Sequence, residues 1–274
     1  MNNNAWFKKE NPLLSLHSMG GGAAGTLMQG AADKTYVDEV FSPYADIGTG
    51  FARTIVNNID LADKGGLVWQ KWRSGSASAN DNNTSHILAD TVRGTSKYLK
   101  GNTNDDEFSV SAVGSFNSNG YATGGNLTST DNSNDKYISW TFAKQEGFFD
   151  IATWTGNSSY DQTISHNLGC EPGCIMYKSL SASGSWYVYH RGATKDKFLS
   201  LNSTAAASTF SDTLTVTSTQ FVAPGELGAN ADGETYVAYL FAGGESEAAT
   251  ARSVDFDGTG DYLNTTSSSS DFTM

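Results

Sequence analysis

Residues 166–178 read HNLGCEPGCIMYK and gather one histidine with both cysteines of the chain, Cys170 and Cys174. Imidazole and thiolate are the usual zinc ligands, and a close thiol pair is the working unit of a redox site. A structural zinc site takes four such ligands, commonly as two close pairs. Here a C-x3-C pair stands without a second pair, and the remaining histidines are His17, His86 and His190. A thioredoxin-like site needs C-x-x-C opening a helix, which Pro172-Gly173 opposes. The three residues read as turn and packing residues between two strands. A disulfide across the turn is the second reading and a metal site the third.

The frame around them occurs twice. Residues 54–71, TIVNNIDLADKGGLVWQK, match 163–178, TISHNLGCEPGCIMYK, at Thr54/Thr163, Ile55/Ile164, Asn58/Asn167, Gly66/Gly173 and Lys71/Lys178. On that alignment Cys174 takes the place of Leu67 and His166 that of Asn57. Three further blocks follow in the same order. RGTSKYLKGNT (93–103) parallels RGATKDKFLSLNST (191–204), FNSNGYATGGN (116–126) parallels FVAPGELGAN (221–230), and KYISWTFAK (136–144) parallels TYVAYLFAG (235–243). Ordered repetition of this kind predicts two tandem copies of one domain, 46–147 and 148–243. Residues 1–45 precede them and 244–274 follow.

Each block has strand character. KYISWTF and TYVAYLF alternate β-branched or aromatic residues with smaller ones, as a half-buried strand requires. SGSWYVYH sets Trp186 and Val188 on one face and Tyr187 and Tyr189 on the other. Such aromatics can stack on sugar rings, but period-two geometry sends half of them into a core. Aromatics at 12%, 29 glycines and heavy Ser/Thr/Asn use favour strands and turns. The expected fold is all-β, with two tandem small β-sandwich or barrel domains after a short N-terminal anchor segment.

Lysine and arginine total 17 against 29 acidic residues, a formal charge of −12, and the basic residues are scattered singly. A nucleic-acid partner is therefore not expected. No apolar run approaches the ~20 residues of a membrane span, so no membrane insertion is expected. The Gly-rich MGGGAAG lacks the Lys-Ser/Thr of a phosphate loop, and neither G-x-S-x-G nor H-E-x-x-H occurs. The acidic residues lie in polar, loop-like stretches and read as solvated surface charge. Asp255, Asp257 and Asp261 read as a strand-turn-strand, with calcium binding as the second reading. No catalysis, cofactor or metal is expected.

The blocks T-I-x-H-N-L-G-x-x-P-G-x-I-x-x-K (Thr163 to Lys178), W-Y-V-Y-H (Trp186 to His190), K-x-L-x-L-N-x-T (Lys197 to Thr204) and G-x-x-Y-V-A-Y-L-F-A (Gly233 to Ala242) resemble a known family. It is a β-domain of unknown function found in tandem in marine bacteriophage virion proteins of the tail-fibre kind. The first copy fits more loosely, with Asn57-Asn58 in place of His-Asn. In that family a laminin-G or concanavalin-A-like domain often follows, and SVDFDGTGDYLNTTSSSSDFTM (253–274) looks like its first strand. The resemblance implies a virion structural protein, a tail fibre or appendage located in the phage particle. It would form a homo-oligomer such as a trimer, with host-surface glycans met by distal parts. The rival readings are a glycan-binding module and a capsid-decorating or adhesin protein.

The N-terminal segment agrees with an appendage. AWFKKENPLLSLHSMGGGAAG is apolar, rich in small residues and too short to fold alone. Such a segment orders on a partner surface, and Trp6, Phe7, Leu13, Leu14 and Leu16 are its expected anchors on other tail or capsid proteins. A disordered terminus is the alternative.

Overall fold

The strand Lys136–Ala143 buries Tyr137, Ser139, Thr141 and Ala143 on one face and half-buries Ile138, Trp140 and Phe142 on the other. This period of two is what the sequence predicts, and it sets the theme of the fold. A computed structural model describes residues 35–75, 84–124, 128–159, 162–209, 214–223 and 229–243. The fold is all-β, with one α-helical turn at Thr128–Asp131 and one 3-10 turn at Val37–Glu39.

The first copy contains β1 (Phe41–Ile47), β2 (Thr54–Val56), β3 (Gly66–Ser74), β4 (His86–Asp90), β5 (Leu99–Lys100), β6 (Val113–Asn117), β7 (Gly120–Thr123) and β8 (Lys136–Ala143). They form a large sheet in the order β1-β8-β3-β4-β5 and a small one in the order β2-β7-β6. The second copy contains β9 (Phe149–Thr155), β10 (Thr163–Ser165), β11 (Pro172–Ser179), β12 (Tyr187–His190), β13 (Lys197–Ser200), β14 (Ser208–Thr209), β15 (Gln220–Val222) and β16 (Thr235–Ala242). Its large sheet runs β9-β16-β11-β12-β13-β14 and its small one β10-β15. The order β9-β16-β11-β12-β13 repeats β1-β8-β3-β4-β5, with β14 added at the edge of the second large sheet, and β10-β15 repeats β2-β7.

The register repeats as well. Leu67 faces Phe142 where Cys174 faces Phe241, and Lys71 faces Ile138 where Lys178 faces Val237. Each last strand opens on a buried tyrosine that reaches back to the preceding loop. The Tyr137 hydroxyl accepts the N–H of Asn132 at 2.8 Å, and the Tyr236 hydroxyl accepts that of Ala231 at 3.0 Å. Lys71 and Lys178 each donate to a carbonyl just before the next strand, those of Thr84 and Gly184.

Three apolar clusters fill the fold. Ile55, Val68, Ala89, Val113 and Tyr121 pack between the two sheets of the first copy. Ile164, Ile175, Tyr189, Phe221 and Leu240 do the same in the second. The third cluster draws on both: Leu67, Leu88 and Leu99 meet Ile151, Met176, Trp186, Val188 and Tyr239. The large sheets thus pack back to back, which buries both faces of β16 and removes its expected half-exposed alternation. Trp186 and Val188 enter this shared layer while Tyr189 faces the second copy's own core.

The chain enters the first copy earlier than the sequence suggests. β1 pairs with β8 from Phe41↔Phe142 to Ile47↔Lys136, and Val40 is already buried in the first core. Residues 41–45 therefore belong to the sheet and not to the segment before it. Between the copies, Gln145 and Phe149 exchange backbone hydrogen bonds around Gly147, whose φ of +74° suits a residue without a Cβ.

Candidate functional site

The structure places His166, Cys170 and Cys174 in three different environments. His166 is buried and its Nδ1 accepts the N–H of Leu168 at 3.2 Å. Asn57, its counterpart, accepts the N–H of Ile59 through Oδ1 at 3.3 Å. The imidazole replaces a carboxamide in a local side-chain-to-backbone turn. Cys170 packs on the second copy's core, whereas Cys174 packs on the layer between the large sheets. Neither cysteine is in a disulfide, so that reading is corrected, and burial pushes the Cys174 thiol up to about 11. Cys170 lies in the bend before β11 and Cys174 within the strand, beyond the register irregularity between Pro172 and Cys174, which accounts for the separation. Among the described residues no group of three or more His, Cys, Asp and Glu is placed to hold a metal ion.

At the end of β12 an imidazole likewise replaces a carboxylate. His190 Nδ1 accepts the N–H of Gly192 at 3.1 Å, where Asp90 Oδ1 accepts that of Val92 at 3.0 Å. A half-buried charge cluster in the first copy also has an uncharged counterpart. Arg53 bonds Asp46 and, at 3.1 Å through Nε, Asp131. Burial raises the Asp46 carboxyl more than Arg53 lowers it. In the second copy Trp154 faces Tyr236 where Asp46 faces Tyr137, and its indole N–H donates to the Ala229 carbonyl at 3.1 Å. One position thus tolerates either an ion pair or an indole, which marks its role as tying down loops.

Several acidic side chains that read as solvated charge are instead buried: Asp90, Asp131, Asp135 and Asp150. These carboxylates, at Asp90 and Asp150 within strands and at Asp131 and Asp135 in the turn before β8, face inward because backbone N–H groups, arginine, lysine and tryptophan meet them. Asp150, for example, accepts the N–H of Asn167 at 2.7 Å and pairs with Lys144 at 2.9 Å.

A dense polar network lies on the seam between copies. Arg93 donates to Asp90 at 2.6 Å, Glu107 at 3.2 Å, the Leu88 carbonyl at 3.0 Å and the Tyr239 hydroxyl at 2.9 Å. Tyr239 in turn donates to Asp90 at 2.8 Å. Burial works against the Arg93 charge, but Tyr239, Asp90 and Glu107 hold its pKa above the ordinary value. Nearby, the Trp186 indole donates to the Lys100 carbonyl at 2.8 Å and Glu107 N–H to the Leu180 carbonyl at 3.0 Å. The Lys178 ammonium bridges the Asn104 and Gly184 carbonyls at 3.3 and 2.5 Å, and burial brings its pKa down to about 8. A groove of about 430 Å³ runs beside this network, lined by Arg93, Lys97, Glu107, Trp154, Leu180 and Tyr236.

A second, smaller pocket of about 230 Å³ opens beside β11, where Ser179, Tyr177, Tyr187 and Glu234 converge. Sequence reading named neither place. The partners on the seam are far apart along the chain, and the pocket comes from a small residue standing where a large one could. Trp6, Phe7, Leu13, Leu14 and Leu16 lie outside the described residues, as does the 244–274 segment with its laminin-G-like strand.

No characterised protein and no solved structure matches the chain. A family model, Domain of unknown function (DUF7483), matches residues 39–251 and so spans both copies, and the chain belongs to that family.

Proposed function

We propose that the chain is a structural component of a bacteriophage particle, a tail fibre or related appendage that works mechanically and adhesively. The observation that carries this reading is the seam, where two duplicated β-folds bury a common layer and exchange hydrogen bonds through Arg93, Tyr239, Trp186 and Lys100. A buried network that crosses between two folded copies makes them a single stiff unit, which suits a load-bearing spacer. The motif resemblance at Thr163 to Lys178 and Gly233 to Ala242 supports a virion setting.

On this reading the N-terminal segment docks on other tail or capsid proteins through Trp6, Phe7, Leu13, Leu14 and Leu16. Val37, Ile47 and Phe51, exposed by 66%, 57% and 77%, continue that apolar character into the first copy. Assembly as a homo-oligomer such as a trimer would multiply weak contacts at a host surface. The test is mass spectrometry of density-purified particles with copy counting. Recovery in fixed stoichiometry with tail proteins supports the reading; recovery only in the unassembled lysate contradicts it.

A further inference from the structure

We infer that the second copy carries a binding pocket for one pyranose ring of a saccharide, opened by Ser179 at the place that Trp72 fills in the first copy. The inference goes beyond the virion reading and does not depend on it.

The two copies supply an internal comparison. Trp72 faces Tyr137 across β3 and β8, and Ser179 faces Tyr236 across β11 and β16. The Trp72 indole N–H donates to Asp135 at 3.1 Å. In the second copy Glu234 stands at the place of Asp135, and the Ser179 hydroxyl donates to its carboxylate at 3.2 Å. The hydrogen bond is kept while the bulk of the indole is gone. What remains is the 230 Å³ pocket, lined by Tyr177, Ser179, Ser183, Tyr187, Glu234 and Tyr236. The first copy shows that this place admits a ring system as large as indole.

The lining decides the ligand class. Tyr177 is 3% exposed, and its buried hydroxyl has no hydrogen-bond partner among the described residues. A buried hydroxyl left unpaired costs free energy that a ligand group can recover. Tyr187, stacked on Tyr177 with ring centroids 5.5 Å apart, offers an aromatic surface. Glu234 and the serines supply hydroxyl-directed acceptors and donors. A pyranose presents an apolar C–H face together with several hydroxyls around its rim, and so answers both kinds of lining. An indole has one donor and no acceptor, and would leave the Tyr177 O–H without an acceptor. An anion would meet the Glu234 carboxylate, and a cation would find that carboxylate already taking hydrogen bonds from Ser179 and from Tyr236 at 3.0 Å. Its position between the copy's own strands makes the pocket a property of the folded chain.

The experiment is saturation-transfer NMR and titration of the full chain with methyl glycosides of glucose, galactose, mannose and N-acetylglucosamine, and separately with 3-methylindole. At least one glycoside is expected to bind with a dissociation constant in the millimolar range. Ser179→Trp, which rebuilds the first copy's filling, and Glu234→Gln are each expected to weaken it by at least about tenfold. Thermal unfolding reports whether Ser179→Trp folds, and Glu234→Gln decides the matter if it does not. Absence of saturation transfer from every glycoside overturns the inference. So does binding of 3-methylindole alone, which would indicate a partner's side chain, or glycoside binding that both folded variants retain.

Discussion

Arg93 of the first copy donates through Nη2 to the hydroxyl of Tyr239 in the second, at 2.9 Å and across 146 positions of chain. The same hydroxyl donates to Asp90, which also accepts from Arg93 Nε, so three side chains close a ring over the seam. Neither copy can complete this ring alone, and the two therefore share their stability.

Tyr239→Phe removes the hydroxyl that Arg93 and Asp90 share while keeping the ring in the apolar layer. Chemical denaturation is expected to show one transition with stability lowered by about 1–3 kcal/mol. Arg93→Ala, which strands the buried Asp90 carboxylate, is expected to cost more, about 3–5 kcal/mol. Two separate transitions, with only one of them moved, would contradict the shared seam.

His166 gives a pH dependence whose sign is fixed by burial. Burial holds its folded-state pKa below the ordinary value, against the opposing pull of Asp150. The unfolded chain then takes up the proton first, so this contribution is whole above about pH 6.5 and is lost as pH falls below it. His86, brought down to about 4 by burial and by Lys71, acts in the same direction. His166→Asn installs the first copy's own residue and removes one of the two contributions. Between about pH 7 and about pH 4 the variant is expected to lose less stability than the parent chain in urea unfolding.

Cys174 sits where the first copy has Leu67, within the same layer. Cys174→Leu is expected to keep stability within about 1.5 kcal/mol, as a hydrophobic replacement in a packed layer that accepts leucine elsewhere. With its pKa raised to about 11, the thiol is expected to alkylate far more slowly at neutral pH than free cysteine. Timed mass spectrometry of iodoacetamide labelling in the folded chain measures this.

Tyr137 and Tyr236 hold equivalent loops by accepting the N–H groups of Asn132 and Ala231. Burial raises both hydroxyl pKa values to about 12, so each remains a neutral phenol over the ordinary range. Tyr137→Phe and Tyr236→Phe are each expected to cost about 1 kcal/mol in thermal or denaturant unfolding. Similar losses would agree with equivalent construction; a negligible loss at either site would contradict it.

The sequence carried the strands better than the loops. The two octapeptides of β8 and β16 repeat because pairing on both sides fixes their positions, and TIV and TIS repeat because each pairs with an equivalent strand, β7 or β15. In the loops identity misleads: Arg93-Gly94 and Arg191-Gly192 share letters but not place. The shared register instead sets Asp90 opposite Leu67 where His190 stands opposite Cys174, and Leu88 on Leu99 where Val188 stands on Leu199. Likewise Phe221 is the counterpart of Tyr121, not of Phe116, since each pairs with the isoleucine of β2 or β10. Identity failed there because one task passed between unlike residues, from Asp90 to His190 and from Asn57 to His166. The seam was hidden for another reason: Arg93 and Tyr239 are joined only by tertiary packing. The Ser179 pocket left no sequence signal because it is made by the lack of an indole.

The most direct measurement is a reconstruction of the purified particle by electron cryomicroscopy. Density for the paired sheets is expected in a tail appendage, in symmetric copies, with the N-terminal end directed at the particle. Density for the chain inside the capsid, or particles that lack it altogether, would contradict the account.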